Sequence, residues 1–179
     1  FRIITPLIKF RACRDVRKVA GDAMEIRGGL GYIEDWLDPK ILRDSHLGSI
    51  WEGTSNIISL DTIRALKKDN NLHIFKNFLI DSVKINSEKT HEKHLLSVID
   101  DVFYFVENEV KEDFTSSSRQ ITSSLYYLSS AIFLIQEGNY CEDLAYRSKI
   151  SELIIKYKID KNSPITRDDI DYDLLNNFI

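Results

Sequence analysis

The chain holds 179 residues, of which 43% are hydrophobic and 29% charged, with seven glycines, three prolines and a formal net charge of −4. That length supports one domain with a sizeable core, or one domain plus an appended subdomain, and the scarcity of glycine and proline disfavours a turn-rich β architecture. The negative balance argues against a nucleic-acid partner held by a basic surface, no apolar run approaches the about 20 residues that cross a bilayer, and Cys13 and Cys141 form no metal-ligand spacing, so both are expected as reduced, partly buried thiols of a cytoplasmic protein.

There is no initiator methionine and no signal-peptide pattern; Phe1 opens directly on an apolar-basic pattern, as in a chain cut from something longer. Pro6 suits a first helical turn, with Thr5 as its cap. Leu7, Phe10, Cys13, Val16, Val19, Ala20, Ala23, Met24 and Ile26 then recur at helical spacing, and Gly28-Gly29 stops the helix because glycine takes positive φ without penalty. The stretch "GGLGYIEDWLD" is predicted as a loop. Pro39 opens a short helix, "PKILRDSHL". Gly48 and Gly53 bracket "SIWEG", and a further helix begins near Thr54 and ends at the basic pair Lys67-Lys68, where cations complement the helix dipole.

"DNN" at 69–71 marks a boundary. Residues 1–69 carry 12 basic and 10 acidic side chains, and residues 70–179 carry 12 and 18. The second part is predicted helical over about 72–86, 91–114, 117–137, 142–159 and 166–178. Leu95, Ile99, Val102, Val106, Val110 and Phe114 form one apolar stripe; Ile121, Leu125, Leu128, Ile132 and Ile135 form another. Gly138-Asn139 and Ser163-Pro164 supply stops. Ser163 or Thr166 can cap the last helix, whose first turn holds Asp168 and Asp169. "TSSSRQITSS" reads as a cap and the solvated face of a helix. The predicted class is all-α, an antiparallel helical bundle with extra C-terminal helices.

Two stretches have the composition of a site. In "IWEGTSNI", residues 50–57, Glu52 sits between Trp51 and Gly53 just before a helix. A carboxylate there is stabilised by the helix dipole whatever else it does. Its neighbours add a second reading: an apolar ring disfavours the charged form, moving the group toward a working base, and Gly53 lets another group approach the backbone closely. In "EIRGGLGY", residues 25–32, the glycines could expose backbone N–H groups to a phosphate. No strand precedes them, so this is no dinucleotide-binding fingerprint, and alone it reads as a helix end.

Taken together, "DAMEIRGGLGYIED", "PKILRDSHLGSIWEGTSNI" and "LDTIRAL" resemble the C-terminal helical domain of the acyl-CoA dehydrogenase family, over roughly residues 5–66. The Trp of "IWEGTSN" and the long acidic extension resemble its AidB-like branch. The resemblance implies two parts: residues 1–69, a bundle portion with the flavin and catalytic motifs, and residues 70–179, a helical extension packed on it. It implies that Glu52 removes the α-proton of an acyl-CoA thioester while the β-hydrogen leaves as hydride to FAD, and that the Glu52 N–H, with a flavin hydroxyl, polarises the thioester oxygen. Trp51 would stand beside the acyl chain or the flavin, or serve as a core tryptophan; Gly53 borders the same substrate. Thr54, Ser55 and Asn56 match the segment that meets the FAD pyrophosphate at a helix N-terminus, with helix capping as the alternative or parallel role.

Glu25, Ile26, Arg27, Gly28 and Gly29 match a segment that contacts the FAD of a neighbouring subunit, which implies a homo-oligomer. Here the chain departs from the commonest pattern, with Glu25 in place of Gln and Leu30 in place of Asn; a carboxylate donates no hydrogen bond. Arg43 and Asp44 are expected as an ion pair or as helix-end contacts. His46, His73, His91 and His94 receive no catalytic role, and no metal is expected. The electron acceptor would be an electron-transfer flavoprotein or another carrier. The domains that hold most of the flavin and CoA lie outside this sequence, so the chain alone is expected to be inactive. Two other classes stay open: a DNA-associated flavoprotein, which the acidic extension disfavours, and a non-catalytic oligomerisation module.

Overall fold

A computed structural model of the chain describes residues 2–87, 89–111, 115–141 and 143–160. The described residues are helical, without strands: α1 (Ile4–Ile26), α2 (Gly29–Tyr32), α3 (Asp38–Leu47), α4 (Ser55–Lys67), α5 (Asn71–Asn86), α6 (Lys89–Lys111), a 3₁₀ turn at Thr115–Ser117, α7 (Ser118–Tyr140) and α8 (Leu144–Ile154), which runs into a π-helical turn at Ile155–Ile159. Ser163, Thr166 and the predicted last helix lie outside the described residues.

The core is built around α7. Ile121, Leu125, Leu128, Ile132 and Ile135 recur at intervals of three and four, which places them on one helical stripe, and each is at most 4% exposed. The α6 stripe answers it with Leu95, Ile99, Val102, Phe103 and Val106, all buried. From α5 come Phe75, Leu79 and Val83, with the Phe75 ring tilted on Phe103 at a centroid distance of 6.3 Å. Full burial of each such side chain contributes about 1.5–3 kcal/mol. The core continues without a break into Leu66 and Ile63 of α4 and Leu7 of α1. α4 reaches α5 through a tight link in which Asp69 and Asn70 both take left-handed φ, +53° and +59°, and the Asn71 side chain donates to the Ala65 carbonyl at 3.0 Å. The short polar residues of "DNN" thus turn the chain where the sequence marks a boundary.

α1 and α3 run antiparallel. A Cβ on Gly48 would meet Cys13 Sγ at 3.1 Å, and one on Gly21 would meet Leu42 at 3.9 Å. Bidentate hydrogen bonds from Arg2 to Asp61, at 2.7 and 2.6 Å, tie the start of α1 to α4.

Several local expectations are corrected. Thr5 lies inside α1, which starts at Ile4. Gly138 does not stop α7. It is buried within the helix, where a Cβ would lie 3.0 Å from Leu144 Cα, so its role is the close approach of α8. The serine-rich run is solvated only in part: Ser116, Arg119 and Gln120 are exposed, but Ser118 and Thr122 are buried, and Thr122 returns its hydroxyl to the Ser118 carbonyl at 2.7 Å, which removes the cost of burying it. Cys13 is half-buried as expected, but Cys141 is exposed beyond the end of α7. Among the described residues no helix is long and apolar enough to cross a membrane.

Candidate functional site

The turn between α3 and α4 carries the residues singled out in the sequence. Its first half is a continuation of α3: Ser49 donates to His46, and Ile50 and Trp51 donate to the Leu47 carbonyl at 2.9 and 3.1 Å. Lys9 of α1 straps it from below, its ammonium donating to the Gly48 carbonyl at 2.8 Å and to the Trp51 carbonyl at 3.4 Å. The chain then bends sharply. Glu52 takes φ +55° and Gly53 φ +106°. The left-handed region costs a non-glycine residue on the order of 1–2 kcal/mol, and such outliers concentrate at functional sites. At Gly53 any side chain would be strained, and a Cβ would also press on Ile58 at 3.0 Å.

The Glu52 side chain is exposed. Trp51 is 60% exposed, so it is not a core tryptophan, and Ile50 and Ile57 nearby are 64% and 53% exposed. The apolar surroundings that the sequence predicts for the carboxylate are therefore present as an uncovered patch, not as an enclosed pocket. Among the described residues the Glu52 backbone N–H meets no acceptor.

Thr54 is the residue before α4, in extended conformation, and its hydroxyl makes no cap bond; the capping role expected of it is absent. Ile58 donates to the Thr54 carbonyl at 3.0 Å, but the first-turn N–H groups ahead of it have no side-chain cap. An uncapped helix start is favourable ground for an anion. Asn56 is engaged from the far part of the chain: Arg119 Nε donates to Asn56 Oδ1 at 2.6 Å. One turn on, Ser59 Oγ lies 3.1 Å from Ser118 Oγ in the buried contact of α4 with α7.

Glu25, Gly28 and Gly29 sit at the other end of α1, and all three are exposed. α1 rises about 1.5 Å per residue, so Gly28 lies roughly 20 Å further along it than Cys13, beside which Gly48 packs. The two motifs are thus on one helical pair but at separate ends. Gly28 takes φ +58° and donates to the Glu25 carbonyl at 2.9 Å, ending the helix as the sequence predicts. A Cβ on Gly28 or Gly29 would meet nothing within 4 Å, so both present open backbone. The predicted loop opens instead with one helical turn, α2, and is irregular from Ile33 to Leu37 as expected. The α2 turn forms because Gly31 seats directly on the last turn of α1, where a Cβ would stand 2.3 Å from the Met24 carbonyl.

Arg43 and Asp44 do not pair with each other. They are neighbours on α3 and point apart: Arg43 holds Glu34 with two hydrogen bonds, at 2.6 and 3.1 Å, and Asp44 pairs with Lys40 one turn back. Hydrogen bonding to Arg43 holds the Glu34 carboxyl below its ordinary value. Arg27, which the sequence places in the same flavin-contacting segment as Gly28 and Gly29, lies over the Trp36 ring at 4.9 Å and reaches Asp38 at 3.5 Å, closing the segment between α2 and α3. His91 bonds Glu152 between α6 and α8, and among the described residues no group of three or more His, Cys, Asp or Glu side chains could hold a metal.

Around Arg119 the field is positive. Burial pulls the Arg14 guanidinium below its ordinary value, and the charges of Arg119, Arg11 and Arg17 pull it the same way. Arg11 pairs with Asp15 and lies 4.9 Å over the Tyr127 ring. Neither Lys9 nor Arg119 was legible as a site residue. The only signal for Arg119 is a single cation inside a run of hydroxyl residues.

Residues 2–67 match the family described as "Acyl-CoA dehydrogenase, C-terminal domain". The chain is 34% identical over 92 residues to acyl-CoA dehydrogenase family member 11 of Caenorhabditis elegans, covering 51% of this chain and 15% of that protein. It is 42% identical over 67 residues to the putative acyl-CoA dehydrogenase AidB of Escherichia coli (strain K12), covering 37% of this chain and 12% of that one. The crystal structure of Caenorhabditis elegans ACDH-11 in complex with C11-CoA superposes with a TM-score of 0.71 at 26% identity, covering 89% of this chain and 29% of that one. The likeness therefore runs well past residue 69, further than the sequence motifs reach. The chain spans less than a third of the length of each of these relatives.

Proposed function

From the match of residues 2–67 to the acyl-CoA dehydrogenase C-terminal domain we propose that this chain is the C-terminal part of an FAD-dependent enzyme that oxidises an acyl-CoA thioester to the trans-2-enoyl thioester. Residues 1–69 carry the flavin and catalytic motifs, and residues 70–179 form the helical extension packed on them. The observation that carries the reading is Glu52: a carboxylate held in a left-handed turn, between an exposed tryptophan and a glycine, on an uncovered apolar patch at the start of α4.

In this reading Glu52 takes the α-proton. The α-C–H of a thioester is a weak acid, so its carbonyl oxygen needs polarising as the proton leaves. The unengaged Glu52 N–H is suited to donate to that oxygen from the same residue. FAD, when bound, accepts the β-hydrogen as hydride. Trp51 and Gly53 border the acyl group, the first by apolar contact and the second by leaving room beside the backbone. Covering the patch would expel water from around the carboxylate and the reacting thioester.

The residues at α4 fit the diphosphate of such a cofactor: an exposed helix start without a side-chain cap, beside a positive cluster. Gly28 and Gly29, with Glu25, face outward at the opposite end of α1, as a contact to a second subunit's flavin requires; this implies a homo-oligomer. The electron acceptor would be an electron-transfer flavoprotein or a similar carrier, and a cytoplasmic location is in keeping with the two thiols. Residues 1–179 alone are expected to be inactive, because Glu52 is uncovered in them.

The test is Glu52→Gln in the complete protein. The expected outcome is retained FAD with loss of flavin bleaching by acyl-CoA; undiminished bleaching removes Glu52 from the reaction. A second reading, a DNA-associated flavoprotein, has one observation in its favour, the mutual proximity of Arg11, Arg14, Arg17 and Arg119. Duplex binding that weakens steeply with salt, and is lost on Arg14→Glu, would support it.

A further inference from the structure

We infer that Arg119, from outside the family match, is a positioning residue that makes Asn56 a pure hydrogen-bond donor at the start of α4. The inference rests on the proposal that Thr54–Asn56 meets the diphosphate of FAD. Arg119 Nε has only a proton to give, so the atom facing it at 2.6 Å is the Asn56 amide oxygen. An amide has one accepting end and one donating end. With its oxygen held by the guanidinium, Asn56 directs its NH₂ to the other side.

The consequence is electrostatic. The uncapped first turn of α4 attracts an anion. A freely rotating asparagine beside it presents its carbonyl oxygen part of the time, and that oxygen repels a phosphate at close range. Arg119 removes the repulsive orientation. The hold is built from two adjacent residues of α7, since Ser118 meets Ser59 in the buried interface one turn further along α4. On this reading α7 sets the donor pattern of a site whose own residues lie at the start of α4.

The experiment uses the complete FAD-bearing protein and measures FAD dissociation by recovery of free-flavin fluorescence on dilution, with thermal melting in parallel. Arg119→Met is expected to weaken FAD about three- to tenfold, the size of one ordinary net hydrogen bond. Arg119→Gln, which keeps a neutral donor, should recover most of that loss. In the Asn56→Ala background, Arg119→Met should add nothing, because the two residues act as one unit. Equal FAD affinity in wild type and Arg119→Met overturns the inference. An additive loss in the double variant also overturns it, because Arg119 then acts by charge or by stability without Asn56. Should Arg119→Met fail to fold, Arg119→Lys alone and with Asn56→Ala gives the same decision: coupling supports the inference and additivity overturns it. A wild-type protein that takes up no FAD overturns the family reading and this inference with it. One that holds FAD without Arg119–Asn56 coupling overturns this inference alone.

Discussion

The two parts of the molecule use their apolar residues in opposite ways. Among the described residues, 14 of the 20 large hydrophobic side chains left exposed lie between Ile8 and Ile57, whereas only four of the 23 buried ones, Ile3, Leu7, Phe10 and Ala20, come before Ile63. The later part is a closed core in which α5, α6 and α7 satisfy one another. The earlier part is an open sheath: α1 buries one edge and leaves Val16, Val19 and Ile26 in water. Exposed patches of that extent on a folded chain mark surfaces made for contact. The part with the motifs is thus the part least able to cover itself, and it owes its rigidity to helices that carry no motif.

That contrast can be broken or sharpened by substitution. The largest effect is expected in the open part, on rate alone: Glu52→Gln in the complete protein should slow flavin reduction by about 10²–10⁴-fold with an unchanged melting temperature, the range for a lost general base. Next comes a change in the closed part. Leu128 is fully buried, and Leu128→Ala should cost about 2–5 kcal/mol in urea unfolding. The matching change at an exposed position, Leu37→Ala, should stay within about 0.5 kcal/mol in this chain. A large cost at Leu37 would show that the open part is closed in solution.

A smaller effect tests the seam at the end of α1. Gly31→Ala must push against the Met24 carbonyl and is expected to cost about 1–3 kcal/mol, while Gly29→Ala beside it should be nearly neutral. The smallest effect concerns Arg43 and Glu34. Because the folded state holds the Glu34 carboxyl below its ordinary value, the pair stabilises above the unfolded carboxylate range and loses that contribution as pH falls through the folded value. Arg43→Gln should therefore lower stability slightly at neutral pH, show no difference in acid, and show none at high salt.

Much of the fold was legible because helical periodicity survives without knowledge of partners: the α7 stripe is buried as the spacing predicts, and on α6 Leu95, Ile99, Val102 and Val106 are buried while Val110 is half-buried and Phe114 lies outside the described residues. The ends were less so. Gly138 looks like a stop in sequence, yet its meaning depends on Leu144 packing against it. Likewise the serines of 115–124 look solvated until Thr122 is seen to return its hydroxyl to its own helix. At the candidate site, the sequence singled out Glu52 and the glycines by their residue types and neighbours, but it had no means of seeing that Lys9 and Arg119 reach the same turn. Both act across gaps of 39 residues or more, and nothing local in either marks its target.

The contact between Asn56 and Arg119 joins residues 63 positions apart. A ribosome adding about 5–20 residues per second takes roughly 3–13 s to cover that interval. Throughout it the nascent α4 exists without the helix that fixes its first turn, and the apolar sheath ahead of it has no α7 to pack against. Vulnerability to misassembly is therefore greatest before α7 emerges, and chaperone occupancy should peak on ribosome-bound chains of that length.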